Sequence, residues 1–173
     1  MELSVERFLL LLGDTRRVSF NHYRFRSVWL VDCLPGDAFD VLADLGSYPL
    51  WWPEVRRAVQ VGEERAVLSC RSFLPYELVF EASHHTRDSE KLVLVANLEG
   101  DLNGTVGWWV QPCGAGARLV YDQEVTVGKP VLRALGPLLR PALVANHQVM
   151  MRHGRRGLGT YLAGFAKGVV ARG

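Results

Sequence analysis

The chain has 173 residues, 49% of them apolar, a size and composition that predict one domain with a sizeable core. Its formal charge of +2 combines 20 basic with 18 acidic residues, so the concentrated basic surface typical of nucleic-acid-binding proteins is not expected. Cys33, Cys70 and Cys113 form no C-x-x-C pair. This spacing disfavours a disulfide framework or a zinc ribbon and favours a reduced, cytoplasmic setting.

Residues 1–20 carry an apolar stretch from Phe8 to Leu12. The acidic residues Glu2 and Glu6 precede it, and it is much shorter than a membrane span, so neither a signal peptide nor stable membrane insertion is predicted. We expect a short amphipathic helix that packs on the domain, or an extension outside it. Contact with a membrane surface is the alternative.

The middle of the chain predicts an antiparallel sheet. From His22 to Cys33 apolar and polar residues alternate with the period of a half-buried strand, and a helix starting near Asp37 follows. After a turn at 46–53, further strands are predicted at 55–62, 66–73, 76–86, 92–98, 105–110 and 118–127. The links between them are too short for parallel crossovers, so neighbouring strands are expected to be antiparallel.

A long closing helix is predicted from about 129 to 165. Its prolines suggest a kinked first part, with the unbroken part beginning near Pro141. Residues at three- and four-residue steps share one largely apolar face: Leu143, His147, Met150, Gly154, Leu158, Tyr161 and Phe165, with Asn146 at its edge. Such a face over a sheet suggests a cavity between the two.

Several short segments carry a resemblance to a known superfamily. They are Tyr-Arg-Phe-Arg-Ser at 23–27, Leu-Pro-Tyr-Glu-Leu at 74–78, Gly-Asp-Leu-Asn-Gly at 100–104 with Trp108, and Asn146-His147 followed by Met150 and Gly154. Together with the order of elements they resemble the START and birch-pollen-allergen superfamily, SRPBCC, and its bacterial polyketide cyclase/dehydrase-like branch.

This resemblance spans about 23 to 162 and implies an α+β helix-grip fold. In that fold a curved antiparallel sheet, here of about seven strands, wraps around a long C-terminal helix and leaves a hydrophobic cavity. We therefore expect one domain at 21–167, preceded by an extension or short helix at 1–20. Members of the superfamily include carriers, cyclases and binding proteins, so the resemblance leaves the chemistry open.

Candidate ligand-binding residues come from the inner faces of strands and helix. Trp108 is assigned inward from its family-like spacing to Gly104. The full set is Trp108, Tyr76, Phe80, Tyr121, Gln123, Leu143, Asn146, His147, Met150 and Gly154. Gly154 and Gly157 each weaken a helix by about 1 kcal/mol relative to alanine, and Gly154 is expected to leave room for a ligand. Gln123 could bind a ligand, or pair with Tyr121 or a helix side chain.

Two residues are candidates for catalysis if the protein is an enzyme. His147 could transfer a proton, although a core histidine with a satisfied partner is the alternative. Pockets of polyketide-cyclase-like proteins often hold an enolate or carboxylate with an arginine, which makes Arg71 the cationic candidate. A solvent-facing Arg71 is the alternative. Arg152, Arg155 and Arg156 lie on the opposite side of the closing helix from His147 and are interpreted as a solvated face, with an acidic partner or an anionic lipid headgroup as the alternative.

No metal and no cofactor are expected. His84 and His85 are adjacent on a strand and point to opposite faces, so they cannot share a metal ion. The sequence thus predicts a cytoplasmic binder or carrier of a hydrophobic small molecule, lipid-like, aromatic or polyketide-like. A cofactor-independent polyketide cyclase or aromatase is the alternative, and a protein-interaction module is a third possibility. Protein partners stay open.

Overall fold

The computed structural model describes residues 21–130 and 136–170. The helix or extension expected at residues 1–20 lies outside the described residues, as does the side chain of Phe165. None of the helices in the described ranges is long and apolar enough to span a membrane.

One curved antiparallel sheet is the main element. Its strands are β1 (His22–Val31), β2 (Val55–Gly62), β3 (Arg65–Cys70), β4 (Leu78–Asp88), β5 (Val93–Gly100), β6 (Leu102–Cys113) and β7 (Gly116–Val127). They lie in the order β1-β7-β6-β5-β4-β3-β2. The predicted meander is therefore confirmed, and β1 joins its far edge by pairing with β7. The pleat places alternate side chains of each strand on the concave face.

In the chain, helices precede β2 and follow β7. After β1 come α1 (Pro35–Ala43), a 3-10 turn (Leu45–Ser47) and the short α2 (Tyr48–Trp51), and α3 (Gly136–Val170) closes the chain. The expected start of the unbroken helix near Pro141 was wrong, because α3 already begins at Gly136 and runs through this proline. Pro141 is exposed and lies in the second turn, where the missing N–H removes one hydrogen bond without breaking core contacts.

Two predicted strand boundaries also differ from the structure. β3 ends at Cys70 and β4 begins at Leu78, so both Arg71 and Tyr76 lie in the connection rather than in strands. The loop expected at 100–104 is a tight turn, and Gly104 is part of β6 with a φ of 151°. A Cβ atom there would lie 2.1 Å from the Glu124 carbonyl oxygen, so the β6–β7 pairing requires glycine.

The core lies between the concave face of the sheet and α3. Leu143 and Leu158, on the apolar face of α3 that the sequence predicts, are buried, and so are Met151 and Leu162 beside that face. Together with buried Leu119 and Tyr121 of β7, they form the helix-grip arrangement that the resemblance implies. The fold is α+β, as predicted.

Candidate ligand-binding cavity

A largely apolar cavity of about 160 Å³ lies between the concave face of the sheet and α3. Except for Gly154, every predicted ligand-binding residue lines it: Trp108, Tyr76, Phe80, Tyr121, Gln123, Leu143, Asn146, His147 and Met150. Alternation along the strands and helical periodicity bring these side chains together because the sheet curves around the helix.

Gly154 serves a different purpose from the one expected. A Cβ atom at this position would lie 2.7 Å from Cε2 of Trp52 and 3.0 Å from Cη2 of Trp29. These rings belong to a tryptophan cluster, Trp29, Trp51, Trp52 and Trp108, that closes one end of the cavity. Gly154 therefore makes room for tryptophan rings, and the expectation that it makes room for a ligand was wrong.

The same cluster ties α2 to α3. The indole N–H of Trp52 donates to the Met150 carbonyl oxygen at 3.0 Å. Beside it, the carboxylate of Glu54, buried to 7% exposure, pairs with Nδ1 of His153 at 2.5 Å. These contacts hold α3 against the start of β2, so this end of the cavity is closed by direct packing.

Arg71 lies outside the cavity. Its side chain is exposed, and its backbone N–H donates to the Glu54 carbonyl oxygen at 2.8 Å. Because β3 ends one residue earlier, the strand alternation used to orient Arg71 does not extend to it. The structure corresponds to the solvent-facing alternative. Arg152, Arg155 and Arg156 are exposed as well.

The polar centre of the cavity is a group of three side chains. The Tyr121 hydroxyl donates to Oε1 of Gln123 at 2.9 Å, and Nε2 of His147 lies 3.1 Å from the same oxygen. Since an amide oxygen only accepts, Nε2 of His147 carries the proton and Nδ1 keeps a lone pair. The imidazole also stacks on Phe25, with ring centroids 3.7 Å apart. Gln123 thus pairs with both Tyr121 and a helix side chain, the two structural partners that the sequence analysis considered beside a ligand.

Burial shifts the pKa of the titratable groups of the cavity towards their neutral forms. It lowers the pKa of His147 to about 4 and raises the pKa of Tyr76 to about 12, the latter with a smaller effect from Tyr23. Burial also raises the pKa of Tyr121 and, to about 12, that of the Cys70 thiol. The common cause is the loss of hydration, which disfavours the charged form of each group.

Two buried polar atoms beside the cavity have no hydrogen-bond partner. They are the hydroxyl of Tyr23 and Oδ1 of Asn146, from β1 and α3. Their residues are 3% and 5% exposed. Because a buried polar atom without a partner costs about 1–3 kcal/mol, such atoms are uncommon and call for an explanation. A ligand between α3 and the sheet would supply the missing partners.

Tyr23, Phe25 and His84 are among the lining residues that sequence reasoning did not assign to the site. The alternation in β1 already placed Tyr23 and Phe25 on one face, which was the signal available for them. His84 was considered only as a metal ligand. Its side chain is 5% exposed, and Nδ1 lies 3.1 Å from Oε2 of Glu64.

No group of His, Cys, Asp and Glu side chains in the described part of the chain could hold a metal ion. The cavity therefore offers hydrogen-bonding groups and aromatic rings as its means of recognition. That combination suits an organic molecule with few polar atoms.

Residues 31–149 match the family described as "Polyketide cyclase / dehydrase and lipid transport". The chain belongs to this family. The match covers β2 to β7 and the first part of α3, so it includes most of the cavity walls. A comparison with curated proteins finds no significant match.

Solved structures share the fold at low identity. The protein TTHA0849 of Thermus thermophilus is 20% identical with a TM-score of 0.73, over 82% of this chain and 98% of that one. A START superfamily protein of Mycobacterium smegmatis is 16% identical with a TM-score of 0.66, over 82% and 98%. The Zhui aromatase/cyclase of Streptomyces sp. R1128 is 12% identical with a TM-score of 0.68, over 82% and 94%. At these identities the likeness concerns the fold.

Proposed function

We propose that this protein binds or carries a small hydrophobic molecule in the cavity between the sheet and α3. The observation that carries the proposal is the cavity itself, an aromatic and aliphatic enclosure with the Tyr121–Gln123–His147 group at its centre. Mostly apolar walls with a few placed polar groups are the usual composition of a small-molecule site. The family description, which includes lipid transport, agrees with this function.

The size of the cavity restricts the ligand. Its volume of about 160 Å³ is close to the roughly 150 Å³ of an engineered cavity that takes up benzene. One or two aromatic rings, or an alkyl chain of similar volume, are compatible with this space after small side-chain movements. A full polyketide chain would require α3 to move away from the sheet.

The charge state of the walls favours a neutral ligand. His147 is uncharged at pH 7 because burial lowers its pKa, and the tyrosines that line the cavity, neutral at this pH in any case, have pKa values that burial raises further. An ionised ligand would lose its hydration without gaining an opposite charge, which costs several kcal/mol. The exposed Arg71 does not provide that charge.

A polyketide cyclase or aromatase is the second candidate, favoured by the neutral imidazole of His147 beside the cavity. A lone pair on Nδ1 could remove a proton from a bound ketone. However, a base with a pKa of about 4 is much weaker than the near-neutral pKa that suits general base catalysis. The described part of the cavity also brings no carboxylate to His147, so binding remains the leading proposal.

A cavity-filling substitution tests the binding function. Ala96 is buried on β5 and lines the cavity. We expect Ala96→Phe to weaken binding of the neutral two-ring fluorescent probe 1-aminonaphthalene at least about tenfold, because the new ring occupies the ligand's space. Native mass spectrometry of protein purified from its own host should show a bound molecule that the variant loses.

Asn97→Phe provides the matched control. Asn97 is the next residue on β5 and is exposed on the opposite face. It adds the same ring without entering the cavity and should bind the probe like the unaltered protein. Equal probe binding by a folded Ala96→Phe protein, or no binding by the unaltered protein, would contradict the proposed function.

We also propose a cytoplasmic location, one domain over 21–167 and no role in binding nucleic acid. The cysteines Cys33, Cys70 and Cys113 are free thiols, as suits a reducing compartment. The near balance of basic and acidic residues supports the last point.

A further inference from the structure

Five cavity residues form one row across the sheet. Strand register pairs Phe25 with Gln123, Gln123 with Val106, Val106 with Ala96, and Ala96 with His84. All five line the cavity. The row therefore runs across the cavity floor from β1 to β4, with apolar Val106 and Ala96 between two polar positions.

One polar position is the Gln123–His147 pair described above. His147 donates from Nε2 to Gln123, and its other ring nitrogen, Nδ1, has no hydrogen-bond partner among the described residues. Oδ1 of Asn146 also lacks a partner. Both free atoms are acceptors, so this end of the row requires a donor.

The other polar position is His84. Its Nδ1 faces Glu64, and the carboxylate of Glu64 is held in turn by Nη1 of Arg87 at 3.2 Å. Since a carboxylate only accepts, Nδ1 carries the proton of the neutral ring, and Nε2 is a free acceptor without a partner in the described ranges. Burial lowers the pKa of His84, against the opposing effect of Glu64, and so favours this neutral form.

Strand alternation orients His84 towards the cavity, because Leu78, Phe80 and Ala82 of β4 precede it at two-residue steps and line the same cavity. The β4–β5 register shifts only after His84, at a bulge before Thr86. On the outer side of the ring lies a polar surface pocket lined by Glu64, Arg87 and Asp44. His84 thus separates the apolar cavity from a polar pocket, with one ring nitrogen on each side.

We propose that the ligand is a neutral molecule with a rigid apolar body and a hydroxyl group at each end, one donating to His84 and the other to the His147–Asn146 end. This inference rests on the proposed function. Three strand spacings of about 4.8 Å separate the backbones of Gln123 and His84. The side chains at both ends shorten that span to roughly the length of a two-ring body.

A series of three probes tests the inference: biphenyl, 4-hydroxybiphenyl and 4,4′-dihydroxybiphenyl, each titrated by displacement of 1-aminonaphthalene. Each hydroxyl is expected to tighten binding about fivefold. His84→Phe should remove the advantage of the second hydroxyl, so that this variant binds the mono- and dihydroxy compounds equally. His85→Phe, which changes an exposed neighbour on the other face, should leave the whole series unchanged.

The outcomes separate the two proposals. Failure of all three probes to bind would overturn the proposed function together with this inference. Equal binding of all three, or equal binding of the mono- and dihydroxy compounds, would overturn the two-ended ligand and leave the proposed function standing. The wild-type series alone decides this even if His84→Phe does not fold, which circular dichroism would show.

Discussion

Gly157→Ala is expected to destabilise the protein by about 3 kcal/mol, the upper end of the usual cost of overpacking. A Cβ atom at this position would lie 1.7 Å from the Trp51 carbonyl oxygen and 2.8 Å from the carbonyl carbon. Both are backbone atoms of α2, which cannot turn aside as a side-chain tip can. The substitution must therefore separate α3 from α2 and disturb the tryptophan cluster. Urea denaturation measures the change in the free energy of unfolding.

Gly159→Ala is the control on the same helix. Nothing lies within 4 Å of a Cβ atom built there. Alanine should therefore stabilise α3 by about 0.5–1 kcal/mol through its higher helix propensity. The two substitutions make the same chemical change two residues apart, so opposite signs isolate the helix contact. A Gly157→Ala protein as stable as the unaltered one would show that α3 does not lie against Trp51.

The second large effect is a loss of stability in mild acid that His147 causes. Its pKa is near 6.5 in the unfolded chain, and burial lowers it to about 4 in the folded one. Between these values the unfolded chain binds a proton that the folded chain excludes, so stability falls as the pH falls. Above pH 6.5 the free energy of unfolding keeps its full value, and near pH 4 protonation of His147 in the unfolded chain lowers it by about 3 kcal/mol.

His147→Phe should remove this part of the pH dependence while keeping the stacking on Phe25. The measurement is the free energy of urea unfolding at several pH values between 4 and 7, compared with the unaltered protein. His85→Phe, at an exposed position, should keep the full slope. A weaker slope remains in His147→Phe, because burial also lowers the pKa of His84. Identical slopes in all three proteins would show that His147 is not buried as the structure has it.

The fold was largely predictable because its signals are local. Alternation in β1 and β7, short links between strands, and the apolar face of α3 each follow from a few neighbouring residues. The errors lie where a local rule does not hold. α3 starts ahead of Pro141, which is tolerated at an exposed position in the second turn, and β3 ends before Arg71, although its alternation continues to Phe73.

The sequence predicted which strand and helix residues face the cavity, but not which of their side chains contact one another. Periodicity identified Gln123 and His147 as inward residues, but only the structure places their side chains 3.1 Å apart. Gly154 and Gly157 were recognised as unfavourable in a helix. Glycine is required at these positions because the Trp52 ring lies against Gly154 and the Trp51 carbonyl lies against Gly157. Both tryptophans belong to α2 or directly follow it, about a hundred residues earlier in the chain.

The order of elements, the inner faces of β1, β4 and β7 and one apolar side of α3 could be predicted from the amino acids alone. These properties depend on side-chain polarity at spacings of two to four residues, which the chain carries locally. Which of these residues meet depends on how the sheet and the helices pack together. Strand register set the row from Phe25 to His84, because one residue of slip would have turned each side chain to the other face. The same packing left Arg71 in solvent and His147 neutral among aromatic rings.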